Sequence, residues 1–277
     1  MIYKVLSYAK VNLFLNIIGK TTEGYHNIQS YFILLNLSDN ITIHSSHNKS
    51  KYTFKNNILI KNNIALKATQ YINAIHNSNK FVEIEIQKQI PISSGLGGGS
   101  SNCASILHVL PKLWHLPKLT SKQVKEVAYT IGADIPFFYY GKNALVEGIG
   151  DKVTPVTTNH ILFIILINPG LKVITQEIYS NAPKYFSQKI SCNNKDIINE
   201  IFFGKNDLES YVIQKYQLIG ELLKIIKKQK NCLISRMSGS GSTCYGLFKE
   251  KEDVIIAKNN LRKIFQIFWI HYEKIFI

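Results

Sequence analysis

The chain has 277 residues, a formal charge of +15 and 45% apolar side chains, enough to bury a sizeable core in one large domain or two smaller ones. No block is long or biased enough for a disordered tail, and no repeat of 20 to 50 residues is found. Cys103, Cys192, Cys232 and Cys244 lie far apart without C-x-x-C pairing, which argues against structural zinc and a disulfide framework and for a reducing compartment.

In chain order, Ser7 to Gly19 carries Val11, Leu13, Leu15 and Ile17 in alternation and predicts a strand. Lys4, Lys10, Asn12 and Asn16 interrupt any apolar N-terminal stretch, so no signal peptide is expected and a cytoplasmic location is. Tyr31 to Leu37 and Asp39 to His44 read as two further strands, and Asn63 to Ala74 as a helix through Ile64, Leu66, Ala68 and Ile72. From Phe81, Val82, Ile84 and Ile86 face one way and Glu83, Glu85 and Gln87 the other, a half-buried strand. The run Pro91-Ile92-Ser93-Ser94-Gly95-Leu96-Gly97-Gly98-Gly99-Ser100-Ser101 follows, and then a helix from Asn102 that ends near Pro111.

Further on, Lys122 to Ile131 predicts a short helix closed by Gly132, and Asn143 to Glu147 a strand before the turn at Gly148 and Gly150. Ile161 to Asn168 is a buried strand stopped by Pro169-Gly170; its apolar run is too short to span a bilayer. Helices are expected at Asp207 to Gln217, Ile219 to Gln229 and Glu252 to Phe265, with strands at Thr243 to Phe248 and Phe268 to Tyr272. Helices and strands mix without strict alternation, which favours an α+β class. A boundary near residues 155 to 160 divides the chain into 1–157 and 158–277.

A strand, a glycine-rich turn and a helix N-terminus together make an anion site. Glycines allow close backbone approach, the first helical amides are unpaired, and the macrodipole favours negative charge. Phosphate is the expected guest. The run lacks the lysine of a Walker A loop, and Ser100 stands where a dinucleotide fingerprint needs glycine. Backbone amides and the Ser100 and Ser101 hydroxyls must therefore hold the phosphates, and any lysine must come from elsewhere.

The positive charge invites a nucleic-acid reading. The lysines are spread along the chain, however. The one modest cluster, Lys224, Lys227, Lys228 and Lys230, lies on a helix whose apolar stripe is Ile219, Leu222, Leu223 and Ile226. A solvated face explains it, and no nucleic-acid or membrane partner is expected.

Four other clusters carry chemistry. Lys10 and Asn12 are two apart on one strand face. Gly24-Tyr25-His26 is a turn presenting a ring and an imidazole, and Gly132-Ala133-Asp134-Ile135-Pro136 sets a carboxylate at a helix-to-coil junction. Ser238-Gly239-Ser240-Gly241-Ser242 is a second glycine-rich loop before a strand.

Their order resembles the galactokinase, homoserine, mevalonate and phosphomevalonate (GHMP) kinase superfamily, whose P-x-x-x-G-L-G-x-x-S-S signature is met at Pro91 to Ser101. The segments AKVNLFLNIIGKTTEGYHNIQS (9–30), GADIPFFYYGKNALVEGIGDKVTP (132–155) and RMSGSGSTCYGLF (236–248) are similar to one branch of it. That branch is ATP-dependent and phosphorylates the 2-hydroxyl of a cytidine-diphosphate-linked methylerythritol on the non-mevalonate isoprenoid route. Ser242 departs from the proline of the pattern, the likeness weakens after Phe248, and residues 182–204 carry no signal.

The resemblance implies a two-domain kinase fold with its active site between the domains. It implies a catalytic pair, Lys10 and Asp134, with Asn12 on the polyol and with Tyr25, His26, Thr175 and Tyr179 on the cytosine side. Gly239, Ser240 and Gly241 close the phosphate end, and Asn63 and Lys67 approach the nucleotide. Mg²⁺ is expected with no protein carboxylate ligand identified, Ser101 being the candidate hydroxyl. Another kinase of the superfamily and an RNA-binding protein are the alternatives. Oligomeric state is not legible in the chain.

Overall fold

The computed structural model describes residues 1–55 and 64–277. Its first strand, β1, runs Ile2–Lys20, and after a turn β2 runs His26–Ser46. The two pair antiparallel along their whole length, with register shifts at Tyr8/Lys10, Asn12/Phe14 and Ile17/Gly19. The two strands expected between Tyr31 and His44 are thus one. Ser38-Asp39-Asn40 reads as a break, but all three remain paired with β1.

Next come β3 (Lys51–Lys55), α1 (Ile64–Ile75), β4 (Phe81–Gln87), α2 (Gly98–Trp114), α3 (Ser121–Thr130), α4 (Ile135–Tyr140), β5 (Ala144–Gly148) and β6 (Lys152–Pro155). The free edge of β2 is shared: β5 pairs with Ile28–Phe32 and β4 with Asn40–Ser46. Between them, side chains replace the missing strand. Asn143 Oδ1 accepts from the Leu34 amide, and the Glu273 carboxylate accepts from the Asn36 and Leu37 amides.

The remaining elements are β7 (Ile161–Asn168), α5 (Thr175–Ser180), α6 (Asn194–Phe203), α7 (Glu209–Lys215), α8 (Gln217–Lys227), β8 (Ile234–Met237), β9 (Cys244–Phe248), α9 (Lys251–Ile264) and β10 (Trp269–Phe276). Their strands form a second, antiparallel sheet in the order β10-β7-β9-β8. The short α4, α5, α6, β3, β6 and β8 carry no clear periodicity and escape the sequence reading, so Asp134 precedes a helix where coil was expected.

Three apolar cores stack in layers. The outer one joins α1, α2, α3 and α4 to one face of the first sheet. The middle one joins the other face, through Val11, Leu13, Ile33 and Leu35, to Leu162, Ile164, Leu166 and Leu247 of the second sheet and to Ile197 and Ile201 of α6. The third packs α7, α8 and α9 on the far side of the second sheet. This layering explains β1, whose polar positions Lys10, Asn12 and Asn16 are as buried as its apolar ones. Among the described residues no helix is long and apolar enough to cross a membrane.

α2 differs from expectation at both ends. It starts inside the glycine run, at Gly98, because Gly97 takes the left-handed N-cap conformation (φ 71°, ψ 14°). It also continues through Pro111, although proline supplies no amide hydrogen to the helix, and stops at His115 in the left-handed region.

Candidate active site

A cleft of about 1370 Å³ brings the predicted clusters together. Its centre is β1. Where the β1–β2 ladder shifts register, the Lys10 amide donates to the Leu96 carbonyl at 3.0 Å, tying the strand to the glycine run. The Lys10 ammonium lies 3.4 Å from Asp134 Oδ2, hydrogen-bonds Asn12 Oδ1 and sits 4.5 Å from the centre of the Phe32 ring. Its side chain is 4% exposed, against 29% for Asp134, so the carboxylate is the member that solvent or a ligand reaches. Burial pushes the Lys10 ammonium below the ordinary lysine value, and Asp134 partly restores it. Asp134 owes its place to the end of α3: the chain turns at Gly132, and Asp134 is the residue before α4, with Pro136 in the first turn of that helix.

The glycine run forms the phosphate-sized end. Gly95 and Gly97 have φ of 78° and 71°. A side chain on Gly95 would stand 2.3 Å from the Ser238 carbonyl, and one on Gly97 2.6 Å from the Phe138 ring. The first turn of α2 has no acidic residue and no side-chain cap, so its amides are open to an anion. Pro91, Ile92, Ser93, Ser94, Gly98, Gly99 and Ser100 line the cleft with them. Leu96 is instead wholly buried in the middle core.

Ser101 is turned away from the cleft. It accepts from the Ser7 hydroxyl at 2.7 Å in a buried network that also holds Asn102, Asp39 and Lys88. Of the two serines, Ser100 therefore faces the ligand space. Lys88 was not singled out from sequence, yet it lines the cleft, and its ammonium would lie 3.1 Å from a Cβ added to Gly98. As the residue directly after a strand it gives no signal; its pairing with buried Asp39 and its hydrogen bond to Asn102 hold it beside the N-terminal turns of α2.

At the other end Tyr25 is half exposed at the tip of the β1–β2 turn. His26 faces Tyr179 of α5 with ring centres 5.5 Å apart and planes tilted by 40°. Burial, then Lys20, lower the His26 pKa below its usual 6.5, so the imidazole is neutral at pH 7. Burial and, after it, the Asp134 carboxylate raise the Tyr179 phenol above its ordinary value. Thr175 Oγ1 and Ser240 Oγ lie 3.0 Å apart, joining α5 to the second glycine loop. Lys67 is exposed on α1 and does not line the cleft, and Asn63 lies outside the described residues. Among the described residues no three side chains from His, Cys, Asp and Glu cluster as a metal site.

The GHMP kinases N terminal domain profile matches residues 63–142 and the GHMP kinases C terminal profile residues 193–267. A 4-diphosphocytidyl-2-C-methyl-D-erythritol kinase of Clostridioides difficile is 36% identical over 276 residues, which cover 94% of this chain and 91% of that protein. A crystal structure of a 4-(cytidine 5'-diphospho)-2C-methyl-D-erythritol kinase superposes with a TM-score of 0.80 at 26% identity, covering 99% of this chain and 100% of the other. Homoserine kinase of Cytophaga hutchinsonii shares the fold, with a TM-score of 0.72 at 16% identity over 100% of this chain and 95% of its own.

Proposed function

The chain belongs to the 4-diphosphocytidyl-2-C-methyl-D-erythritol kinase family of GHMP kinases, and we propose that its phosphoryl transfer is carried by Lys10 and Asp134. It is an ATP-dependent kinase, and its acceptor is the 2-hydroxyl of 4-diphosphocytidyl-2-C-methyl-D-erythritol in the non-mevalonate isoprenoid pathway. The observation that carries the residue roles is the Lys10–Asp134 pair, 3.4 Å apart. It joins a phosphate cradle to a cleft wall of His26 and Tyr179.

Phosphoryl transfer asks chiefly for positioning and charge neutralisation. The γ-phosphate rests against the open amides of α2 and the Gly95–Ser100 backbone, with Lys88 as the nearby cation. The acceptor hydroxyl approaches Asp134, which takes its proton as the oxygen bonds to phosphorus and the bond to ADP breaks. Lys10 neutralises the carboxylate and the attacking oxygen, and Asn12 holds the polyol. The cytosine lies between the Tyr25 and Tyr179 rings, each stack worth about 1–3 kcal/mol, with His26 at its edge. The neutral His26 ring has one donor and one acceptor for the polar edge of the base. Thr175, Gly239, Ser240 and Gly241 enclose the reacting end. Asn63 and Lys67 remain candidates for the nucleotide side.

Mg²⁺ bound with ATP would screen the phosphate charge. The donor set suits an ion held mainly by phosphate oxygens and water, as is usual for Mg²⁺, with the Ser100 hydroxyl as the protein group at hand rather than Ser101. Residues 1–157 form the nucleotide-loop domain and 158–277 the second domain in this reading. A cytoplasmic location and the absence of a nucleic-acid partner go with it.

The test is ATP turnover with the cytidylylated methylerythritol beside homoserine and mevalonate, for wild type and Asp134→Asn. Turnover with the cytidylylated acceptor alone, reduced about 10²–10⁴-fold in the variant, is expected. Turnover with another acceptor discards the base pocket; an active Asp134→Asn discards the base.

A further inference from the structure

The two glycine-rich loops meet above the reacting groups, and one short segment sets the height of that ceiling. At Gly239 (φ 55°) an added Cβ would lie 3.1 Å from Asn12 Oδ1 and 3.5 Å from Lys10 Nζ. The Ser238 hydroxyl accepts from the Asn12 amide at 3.3 Å and donates to the Gly95 carbonyl at 3.1 Å. The loop therefore touches both halves of the site.

Its backbone is gripped by residues 206–209, which lead from α6 into the first residue of α7. Asn206 Nδ2 donates to the Met237 carbonyl at 2.9 Å and to the Gly239 carbonyl at 2.7 Å. Glu209 Oε2 accepts from the Met237 amide at 2.7 Å. The same segment is fastened to β1, the strand of Lys10 and Asn12. Leu15 donates to the Lys205 carbonyl at 3.0 Å, the Asp207 amide donates to the Leu15 carbonyl at 2.8 Å, and the Ile17 amide donates to Asp207 Oδ2 at 2.7 Å.

We propose that Asn206 is a positioning residue for phosphoryl transfer, its carboxamide fixing Gly239 over Lys10 and Asn12. Three properties of the residue carry this. Asn206 is 4% exposed, both amide hydrogens are spent on the two loop carbonyls, and Oδ1 is spent on the Leu208 amide at 3.0 Å. Aspartate keeps the shape without the donors, and glutamine is one methylene too long. Asn206 touches no ligand space itself, so its effect reaches the chemistry only through the loop. This rests on the reading of Lys10 and Asp134 as the reacting pair.

The experiment compares wild type with Asn206→Ser and Asn206→Asp, measuring kcat, KM for ATP and for the acceptor, and the thermal midpoint. Misplacement of a positioned group by about 1 Å costs on the order of 100-fold. A fall of about 10- to 100-fold in kcat is therefore expected, with both KM values within about twofold and the enzyme folded. A purely structural role would instead scale kcat with the folded fraction. Wild-type kcat in either folded variant, or loss of folding in both, overturns the proposal. An inactive wild type would overturn the kinase reading instead, which keeps the two failures apart.

Discussion

Lys10 is a buried ammonium that the proposed mechanism uses in its charged form, and the two demands set its pH behaviour. Its pKa lies below 10.5 because burial outweighs the Asp134 carboxylate. Between the lowered value and 10.5 the unfolded chain holds more protons than the folded one, so this group's contribution to stability rises with pH there. In the proposed mechanism activity runs the other way, with kcat expected to fall as the ammonium is lost. The alkaline limb of kcat is expected below the ordinary lysine range. Phe32, whose ring faces the ammonium at 4.5 Å, favours the charged form through its π-face. Phe32→Leu should move that limb to still lower pH, at about 1–3 kcal/mol of stability from the buried atoms lost. A pH–kcat profile checks both, and a limb that stays put in the variant would remove Phe32 from the account.

At the scale of elements, the hairpin turn from β5 to β6 acts as the backstop of Asp134, the proposed base. Gly150 has φ 129°, and a Cβ there would meet the Ala133 carbonyl at 2.5 Å, one residue from Asp134. The turn is closed by Asp151, which accepts from the Ile149 amide at 3.1 Å and sits 3.5 Å from Lys125 of α3. Gly150→Ala combines backbone strain with a contact against backbone that cannot swing aside. It should cost about 2–4 kcal/mol by those two contributions and displace Asp134, lowering kcat by about tenfold or more. Denaturant unfolding and steady-state kinetics on one preparation measure the two effects. Unchanged kcat would mean that the Ala133–Asp134 backbone is held by α3 and α4 alone.

For the whole molecule, the middle core joins the two sheets through one buried apolar cluster. β1 and β2 bury one face against the helices and the other against the second sheet. The Arg236 guanidinium, 6% exposed, donates to the Leu13, Ile201 and Gly204 carbonyls and so pins β8 to β1 and α6. The two tryptophans report on opposite halves, Trp114 in α2 and Trp269 in β10. Single-tryptophan variants are expected to show coincident unfolding transitions. Arg236→Met, by removing the guanidinium donors from these buried carbonyls, of which Leu13 keeps the Tyr245 hydroxyl, should lower both together by about 2–3 kcal/mol. Transitions that separate would show that the halves hold their own stability.

Much of the site was legible because its chemistry is local. Glycines must stand where φ is positive and where another backbone comes within contact, so the runs at Gly95 to Gly99 and Gly239 to Gly241 show themselves in the chain. The Lys10/Asn12 pair, the Tyr25-His26 turn and Asp134 stand at short spacings inside recognisable punctuation. What the chain hides is whatever depends on the far side of the fold. Alternation in β1 predicts one polar face open to water, but stacking of a second sheet buries Lys10, Asn12 and Asn16, because both faces of that strand meet a core. Ser100 and Ser101 are equivalent in sequence. The helical rotation from Gly98 alone decides that Ser100 lines the cleft and Ser101 joins Ser7 behind it. Lys88, Asn206 and Arg236 act across separations of 14 to 223 residues, so no local pattern marks them. Residue type and spacing determined which reaction this protein is equipped for; packing of the layers decided which side chains face the reaction and which hold the others in place.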